Sequence, residues 1–370
     1  MAVKCADVIK VMEKIAHPKH AEGWDNIGLQ IGSPDSQVEK VLVTLDVNLA
    51  VVEEAKKHGV DLLVVHHTPM FKPVPQIRWD RPQGKIIQEL VKNNINLYCA
   101  HTNLDSSPWG VNEVLAKKFE LQEVEVLSPN WQEDFLKLAV FVPIGYEDKV
   151  RSALGKAGAG WIGNYSDCTF QVKGTGTFRP LEGTNPFIGE KDKLEKVDEY
   201  RLETIIPREK LNQVLEALFQ AHPYEEVAYD LYPLANKGQS TGLGRVGLLP
   251  EEITFQELIE KVADILQINS LRYVGDLNSR VKKVALCGGS GASLITLALK
   301  HGAHVYITGD IKYHEAQEAE SLGLKLIDAG HFATEQPVIQ VVADFLKENL
   351  PEINVFTSQI NTDPFMFFKR

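Results

Sequence analysis

Cysteine is scarce in this chain and never paired in sequence. Cys5, Cys99, Cys168 and Cys287 stand far apart and form no C-x-x-C couple. This spacing argues against a thiolate zinc site and suits a reducing compartment, so a cytoplasmic protein is expected. Long apolar runs are also missing. The longest are about strand length, too short to span a bilayer, and the N-terminal stretch lacks the apolar core of a signal peptide. No dense Lys/Arg cluster occurs, and the formal net charge is −11. Duplex binding depends on phosphate neutralisation, so this balance weighs against nucleic acid as a partner. There is no G-x-S-x-G and no cysteine in a nucleophile's setting. What is present, 370 residues with 44% hydrophobic and 24% charged side chains, is the composition of a soluble globular protein of two domains.

Strand-like and helix-like segments alternate through most of the chain. Lys40 to Leu45, Val60 to Val65 and Ile95 to Ala100 read as buried strands, with helices over Leu49 to His58 and Gly84 to Asn93. The C-terminal third repeats the order, with strands at Val281 to Leu286, Ala303 to Ile307 and Leu324 to Ala329. Apolar strands separated by helices of this length predict a largely parallel sheet covered on both faces. Residues 38–67 also overlay residues 281–310 without a gap. Seven of the thirty positions are identical, including Lys57-His58-Gly59 on Lys300-His301-Gly302. With a shorter loop in the second copy, His101 falls on His331 and Asp105 on Glu335. Element order, helix end and the H-x-x-x-acid pattern together predict a duplication whose His/acid pairs face each other. Between the copies lies a segment of different character, roughly residues 130–236. Its order reads βαββαβ, the ferredoxin-like pattern, with a long exposed loop over Arg179 to Lys196.

The candidate chemistry sits at strand ends. His66 and His67 close the run Asp61-Leu-Leu-Val-Val-His-His-Thr-Pro69. Neighbours on a strand point to opposite faces, so these two share a site only where the strand ends and Thr68-Pro69 turns the backbone. The carboxyl edge of a parallel sheet is where α/β proteins place ligands. His101-Thr-Asn-Leu-Asp105 and His331-Phe-Ala-Thr-Glu335 each follow a strand, and on a helix start residues i and i+4 share a face. Read alone, each acid also suits a helix cap. Taken together, His66, His67, His101, Asp105, His331 and Glu335 exceed the needs of one tetrahedral zinc. Their imidazole and carboxylate mixture fits two divalent ions clamping a water. Gly288-Gly-Ser-Gly291 reads as a phosphate cradle or a tight strand-to-helix turn. Gly242-Leu-Gly-Arg-Val-Gly247 offers Arg245 to a phosphate or forms a re-entry loop. Trp24-Asp-Asn-Ile-Gly-Leu-Gln-Ile-Gly32 lines a pocket or forms a buried turn. His222-Pro-Tyr-Glu-Glu226 is a site loop or a helix end.

Five of these motifs, Trp24 to Gly32, His66 to Pro69, His101 to Asp105, Gly242 to Gly247 and His331 to Glu335, resemble in order those of the Nif-three-like proteins, also called the GTP cyclohydrolase I type 2 family. The resemblance implies a duplicated three-layer α/β/α fold, residues 1–129 and 237–370, interrupted by a PII-like domain at residues 130–236. It implies a dinuclear metal site on His66, His67, Asp105, His331 and Glu335, with His101 a sixth ligand or a catalytic proton carrier. Two divalent ions per chain are expected: zinc in the purified protein, with iron or manganese as alternatives. It also implies a toroidal homohexamer and hydrolysis of a nucleotide-like substrate. The competing reading is a non-enzymatic metal-binding regulator or scaffold whose insert senses a ligand.

Overall fold

The computed structural model describes residues 2–368. Met1, Lys369 and Arg370, at the outer limits of the expected domains, lie outside the described residues. The chain divides into two compact units, Met1–Trp131 with Thr241–Arg370, and Gln132–Ser240.

The larger unit opens with a helix, Cys5–Ile15, whose Cys5, Val8, Val11, Met12 and Ile15 recur at helical spacing and are buried. Strands β1 (Gly28–Ile31), β2 (Lys40–Thr44), β3 (Leu62–Val65) and β4 (Asn96–Cys99) follow. Helix Leu49–His58 links β2 to β3. It starts on Asn48, whose side chain accepts the Val51 N–H, and stops at Gly59 with φ +64°. Helix Pro82–Lys92 lies between β3 and β4. Crossovers of this kind return each strand parallel to the last, and β2, β3 and β4 pair in parallel.

Strand β5 (Gln122–Pro143) begins the excursion, β6 (Thr169–Phe178) and β7 (Glu195–Pro207) lie within the smaller unit, and β8 (Tyr229–Thr254) ends it. Helices Glu147–Lys156 and Leu211–Ala221 complete a βαββαβ order. Both β5 and β6 pair antiparallel with β7. Leu138, Val140, Leu202 and Ile206 from the strands pack on Val150, Leu154, Val214 and Leu218 from the helices.

The larger unit resumes with β9 (Arg272–Val274), β10 (Arg280–Ser290), β11 (Val305–Gly309), β12 (Lys325–Asp328) and β13 (Asn354–Thr357). Its first sheet has the order β1-β4-β3-β2-β13, and its second runs β8-β10-β11-β12-β9. The two share a plan. In chain order each has three consecutive parallel strands and, beyond the third, an antiparallel edge strand, β1 on β4 and β9 on β12; on the other flank they differ, β13 joining β2 in parallel and β8 joining β10 antiparallel. The period-2 rule then divides the core. Val41, Val43, Leu62 and Val64 of the first sheet join Val284, Leu286, Val305 and Ile307 of the second in one cluster, with helix Pro337–Asn349. Leu42, Leu63 and Val65 face helices Leu49–His58 and Pro82–Lys92 instead. Ala285, Cys287 and Tyr306 face the opposite way, toward Ala298 and Ala319. Strands buried on both faces explain the unbroken apolar runs of the sequence. Among the described residues no helix is long and apolar enough to cross a membrane.

Candidate metal centre

The two sheets of the larger unit direct the carboxyl ends of their parallel strands to one place. β3 ends at Val65, and the backbone bends at once. His66 N–H donates to Thr44 O at 3.2 Å and His67 N–H to Leu45 O at 2.7 Å, so neither continues the ladder. The bend brings the neighbouring rings to the same side, 4.7 Å between centroids. His101 follows β4, 5.1 Å from the His66 ring and 5.4 Å from that of His67. His331 and Glu335 are the first and last residues of a short helix after β12. Their i, i+4 spacing puts His331 Nε2 3.1 Å from Glu335 Oε2.

Glu335 is the centre of the arrangement. It is 3% exposed. Its Oε2 also lies 3.1 Å from His67 Nε2, while Oε1 is 3.8 Å from His66 Nε2. His66 Nε2 in turn is 3.5 Å from Asp105 Oδ1. Donor atoms within 4.8 Å of one another form three triads: His66, His67, His101; His67, His331, Glu335; and His66, Asp105, Glu335. All six residues singled out from the sequence are in these triads. The two H-x-x-x-acid pairs nevertheless behave differently. His331 and Glu335 share a triad, whereas His101 and Asp105 do not.

Every imidazole is oriented through Nδ1. His66 Nδ1 donates to Ala100 O at 2.8 Å, His67 Nδ1 to Asp46 Oδ1 at 2.8 Å and His331 Nδ1 to Asp310 Oδ2 at 2.7 Å. His101 Nδ1 donates to Asp25 at 2.9 Å. A carbonyl or carboxylate only accepts, so Nδ1 carries the proton and each Nε2 lone pair is left for the centre. Metal-bound histidines are held in this way. Asp25, Asp46 and Asp310 were not recognisable as partners in the sequence. Each stands near a candidate or just past a strand, a position that equally suits a cap. One signal existed: in the gapless overlay, His67 falls on Asp310.

Four buried polar atoms here, His66 Nε2, Asp105 Oδ1, His331 Nε2 and Glu335 Oε2, stand 3.1 to 3.5 Å from an opposite group yet have no partner aligned for a hydrogen bond. Leaving one such group unsatisfied costs about 1–3 kcal/mol. Four together, on imidazole and carboxylate donors, fit divalent cations. The charges are consistent with this. Burial pulls the His66 pKa down, but Asp105 and Glu335 hold it well above the usual imidazole range. His331, against the same burial, is pushed up to about 9 by Glu335 and Asp310. Burial would raise Glu335, yet the facing imidazoles hold it well below the usual carboxylate range. Protons thus take the neutralising role that a cation would take.

A cavity of about 1060 Å³ opens onto the centre. Trp24 and Phe71 flank His101 at one side, with ring centroids 6.3 and 5.7 Å from it. Of the Trp24–Gly32 segment, Trp24 lines the cavity, while Gly28–Ile31 forms β1. Neither glycine-rich loop is a phosphate cradle. Gly288 N–H donates to Asn112 Oδ1, Gly289 N–H to Thr334 Oγ1 and Gly291 N–H to Thr308 Oγ1, so these donors are occupied. Arg245 is buried and bound to Glu113, Gly242 O, Gly244 O and Ser107 O. It braces the loop after Asp105. In the smaller unit, His222 links a helix end to β5, donating to Phe141 O at 3.0 Å and accepting Tyr224 N–H at 3.1 Å.

The Duf34/NIF3 (NGG1p interacting factor 3) family matches residues 3–364. A Bacillus subtilis protein described as a GTP cyclohydrolase 1 type 2 homolog is 44% identical over 369 residues, covering 99% of each chain. The crystal structure of a Bacillus cereus protein related to NIF3 is 44% identical and has a TM-score of 0.88 over 100% of each chain. A Staphylococcus aureus crystal structure is 31% identical, with a TM-score of 0.82 over 99% of each chain.

Proposed function

The chain belongs to the Duf34/NIF3 family, and from that premise and the geometry of the cluster we propose that it is a metal-dependent hydrolase of the GTP cyclohydrolase I type 2 kind, acting on a nucleotide-like substrate with two divalent ions per chain. The observation that carries this reading is Glu335, whose two oxygens face different imidazoles, His66 on one side and His67 with His331 on the other. One carboxylate serving two sets of donors suits a pair of ions better than one. His66, His67, Asp105, His331 and Glu335 are the donors in this reading, with His101 either a sixth donor or the proton carrier, and with zinc expected in purified protein and iron or manganese as alternatives.

Divalent ions held by these residues would supply Lewis-acid polarisation of the substrate and a water of lowered pKa. The chain's own residues do the rest. Asp25 accepts a hydrogen bond from His101 Nδ1–H, so where His101 binds no ion its Nε2 is the site at which a proton is taken or returned. For a cyclohydrolase, the proton moves as water adds at C8 of the guanine ring. Trp24 and Phe71 pack edge-on against the His101 ring.

The architecture we propose has Nif-three-like halves at residues 1–129 and 237–370, related by duplication, with a PII-like, ferredoxin-type insert at residues 130–236. The shared plan of the two sheets and the βαββαβ order support this. A toroidal homohexamer in the cytoplasm completes the proposal.

Anomalous scattering from untreated crystals at several metal edges, with GTP turnover by metal-replete protein, tests the function. Two ions per chain and turnover abolished in Glu335→Gln support it. Full occupancy without turnover across a nucleotide panel would reject the enzyme and favour the regulatory or scaffold role.

A further inference from the structure

The carboxylates that orient the imidazoles are themselves held in different ways. Asp25 is clamped locally. Its Oδ2 accepts Thr102 N–H at 3.0 Å and Thr102 Oγ1–H at 2.5 Å, from the residue next to His101. Asp46 is clamped from far away in the chain. Its Oδ1 accepts the His67 Nδ1–H at 2.8 Å, and its Oδ2 accepts the Thr362 hydroxyl at 2.5 Å.

Thr362 belongs to the segment that follows β13. Ser358 N–H donates to Val43 O at 2.9 Å, and Ser358 Oγ and Gln359 N–H both donate to Glu54, at 2.5 and 2.9 Å. These contacts moor the segment beside β2. From there it turns across the carboxyl edge of the first sheet, and Thr362, Phe365 and Phe367 line the cavity. Phe365 is 73% and Phe367 66% exposed, so little packing fixes the far end of the segment.

A carboxylate on one hydrogen bond is free to rotate, and the imidazole it holds turns with it. A second bond to its other oxygen selects one orientation. We propose that Thr362 is a positioning residue of the centre: by fixing the Asp46 carboxylate it sets the plane of the His67 ring, so that His67 Nε2 meets Glu335 only with the C-terminal segment in place. This inference rests on the reading of His67 as a metal ligand.

Cobalt(II) binding tests it without any substrate. Wild-type protein, stripped and reloaded with Co²⁺, is compared with Thr362→Val, Thr362→Ser, Asp46→Asn and the double variant Thr362→Val/Asp46→Asn. The readouts are the visible d–d absorption bands and the affinity in competition with a chelator. Thr362→Val should shift the bands and weaken Co²⁺ by about tenfold, the low end for loss of an orienting partner. Thr362→Ser, which keeps the hydroxyl, should restore both. Added to Asp46→Asn, Thr362→Val should have no further effect, because both act through one carboxylate. Wild-type bands and affinity in Thr362→Val would overturn the inference. So would failure of Thr362→Ser to restore them, or additive losses in the double variant. A wild-type protein whose Co²⁺ spectrum is unchanged by His67→Ala would reject the metal reading itself, a separate result.

Discussion

At the carboxyl end of β3 stand His66 and His67; at the matching end of β11 stand Gly309 and Asp310. The two strands occupy the same place in their sheets, yet one strand end supplies nitrogen donors and the other does not. Space explains the difference. A Cβ on Gly309 would lie 2.7 Å from the His331 backbone nitrogen and 2.9 Å from its Cα. No side chain fits there, because the helix carrying His331 and Glu335 is packed against that strand end. Gly289 has a similar role. Its φ is +66°, and a Cβ would come within 2.1 Å of Glu335 Oε1. The second edge has given up side-chain room so that one carboxylate can reach the imidazoles of the first. Asp310, in the place of His67, orients His331 instead. Two similar strand ends can therefore build one centre by dividing the work between donors and the clearance that lets a donor enter.

Removing the shared carboxylate should break this division most severely. Glu335→Gln is expected to weaken metal binding by more than about a hundredfold, beyond the loss from any orienting partner. Metal content after dialysis measures it, and retention of full stoichiometry would refute the central role of Glu335. Filling the clearance comes next. Gly289→Ala places a side chain at a left-handed position, at a cost of about 1–2 kcal/mol before the clash with Glu335. A lowered denaturation midpoint together with weakened metal retention is expected. A stability loss with unchanged retention would show that the clearance serves folding alone.

The orienting acids sharpen the comparison further. Asp46→Asn on the first edge and Asp310→Asn on the second should each weaken metal binding by about 10- to 100-fold. Competition titration checks both, and equal losses would mean that the two edges orient their imidazoles with equal weight.

The smallest effect expected is in pH. His331 has its pKa raised to about 9 in the metal-free protein. A raised folded value means that its contribution to stability is complete below the unfolded value of about 6.5 and fades as pH rises through about 9. Metal binding runs the other way, because the ion must displace that proton and binds more tightly as pH increases. Chemical denaturation in a chelator should therefore show stability falling from pH 6.5 to 9.5 while metal affinity rises. His331→Gln should flatten the first trend.

Much of this was legible in the chain. The parallel strands announced themselves as apolar runs with glycine-ended helices between them, since burial on both faces leaves no polar position. The imidazoles were legible because strand ends in such sheets are where ligands gather. The edge strands β1, β9 and β13 were not, being half-buried or exposed with no clear period. Nor were the roles of Asp25, Asp46 and Asp310, because one acid past a strand looks like any cap until the fold supplies its partner. Gly289 and Gly309 read as ordinary turn residues. Their function is to be small beside a neighbour from another element, and nothing local in sequence encodes that neighbour.

The donors are spread widely along the chain, His66 and His67 near its start and Glu335 near its end. During synthesis the first imidazoles leave the ribosome with the carboxylate that joins them still unmade. On the proposed metal reading, discrimination among ions therefore belongs to the finished fold, because Glu335 meets the imidazoles of His66 and His67 only once residues far apart in the chain have packed together.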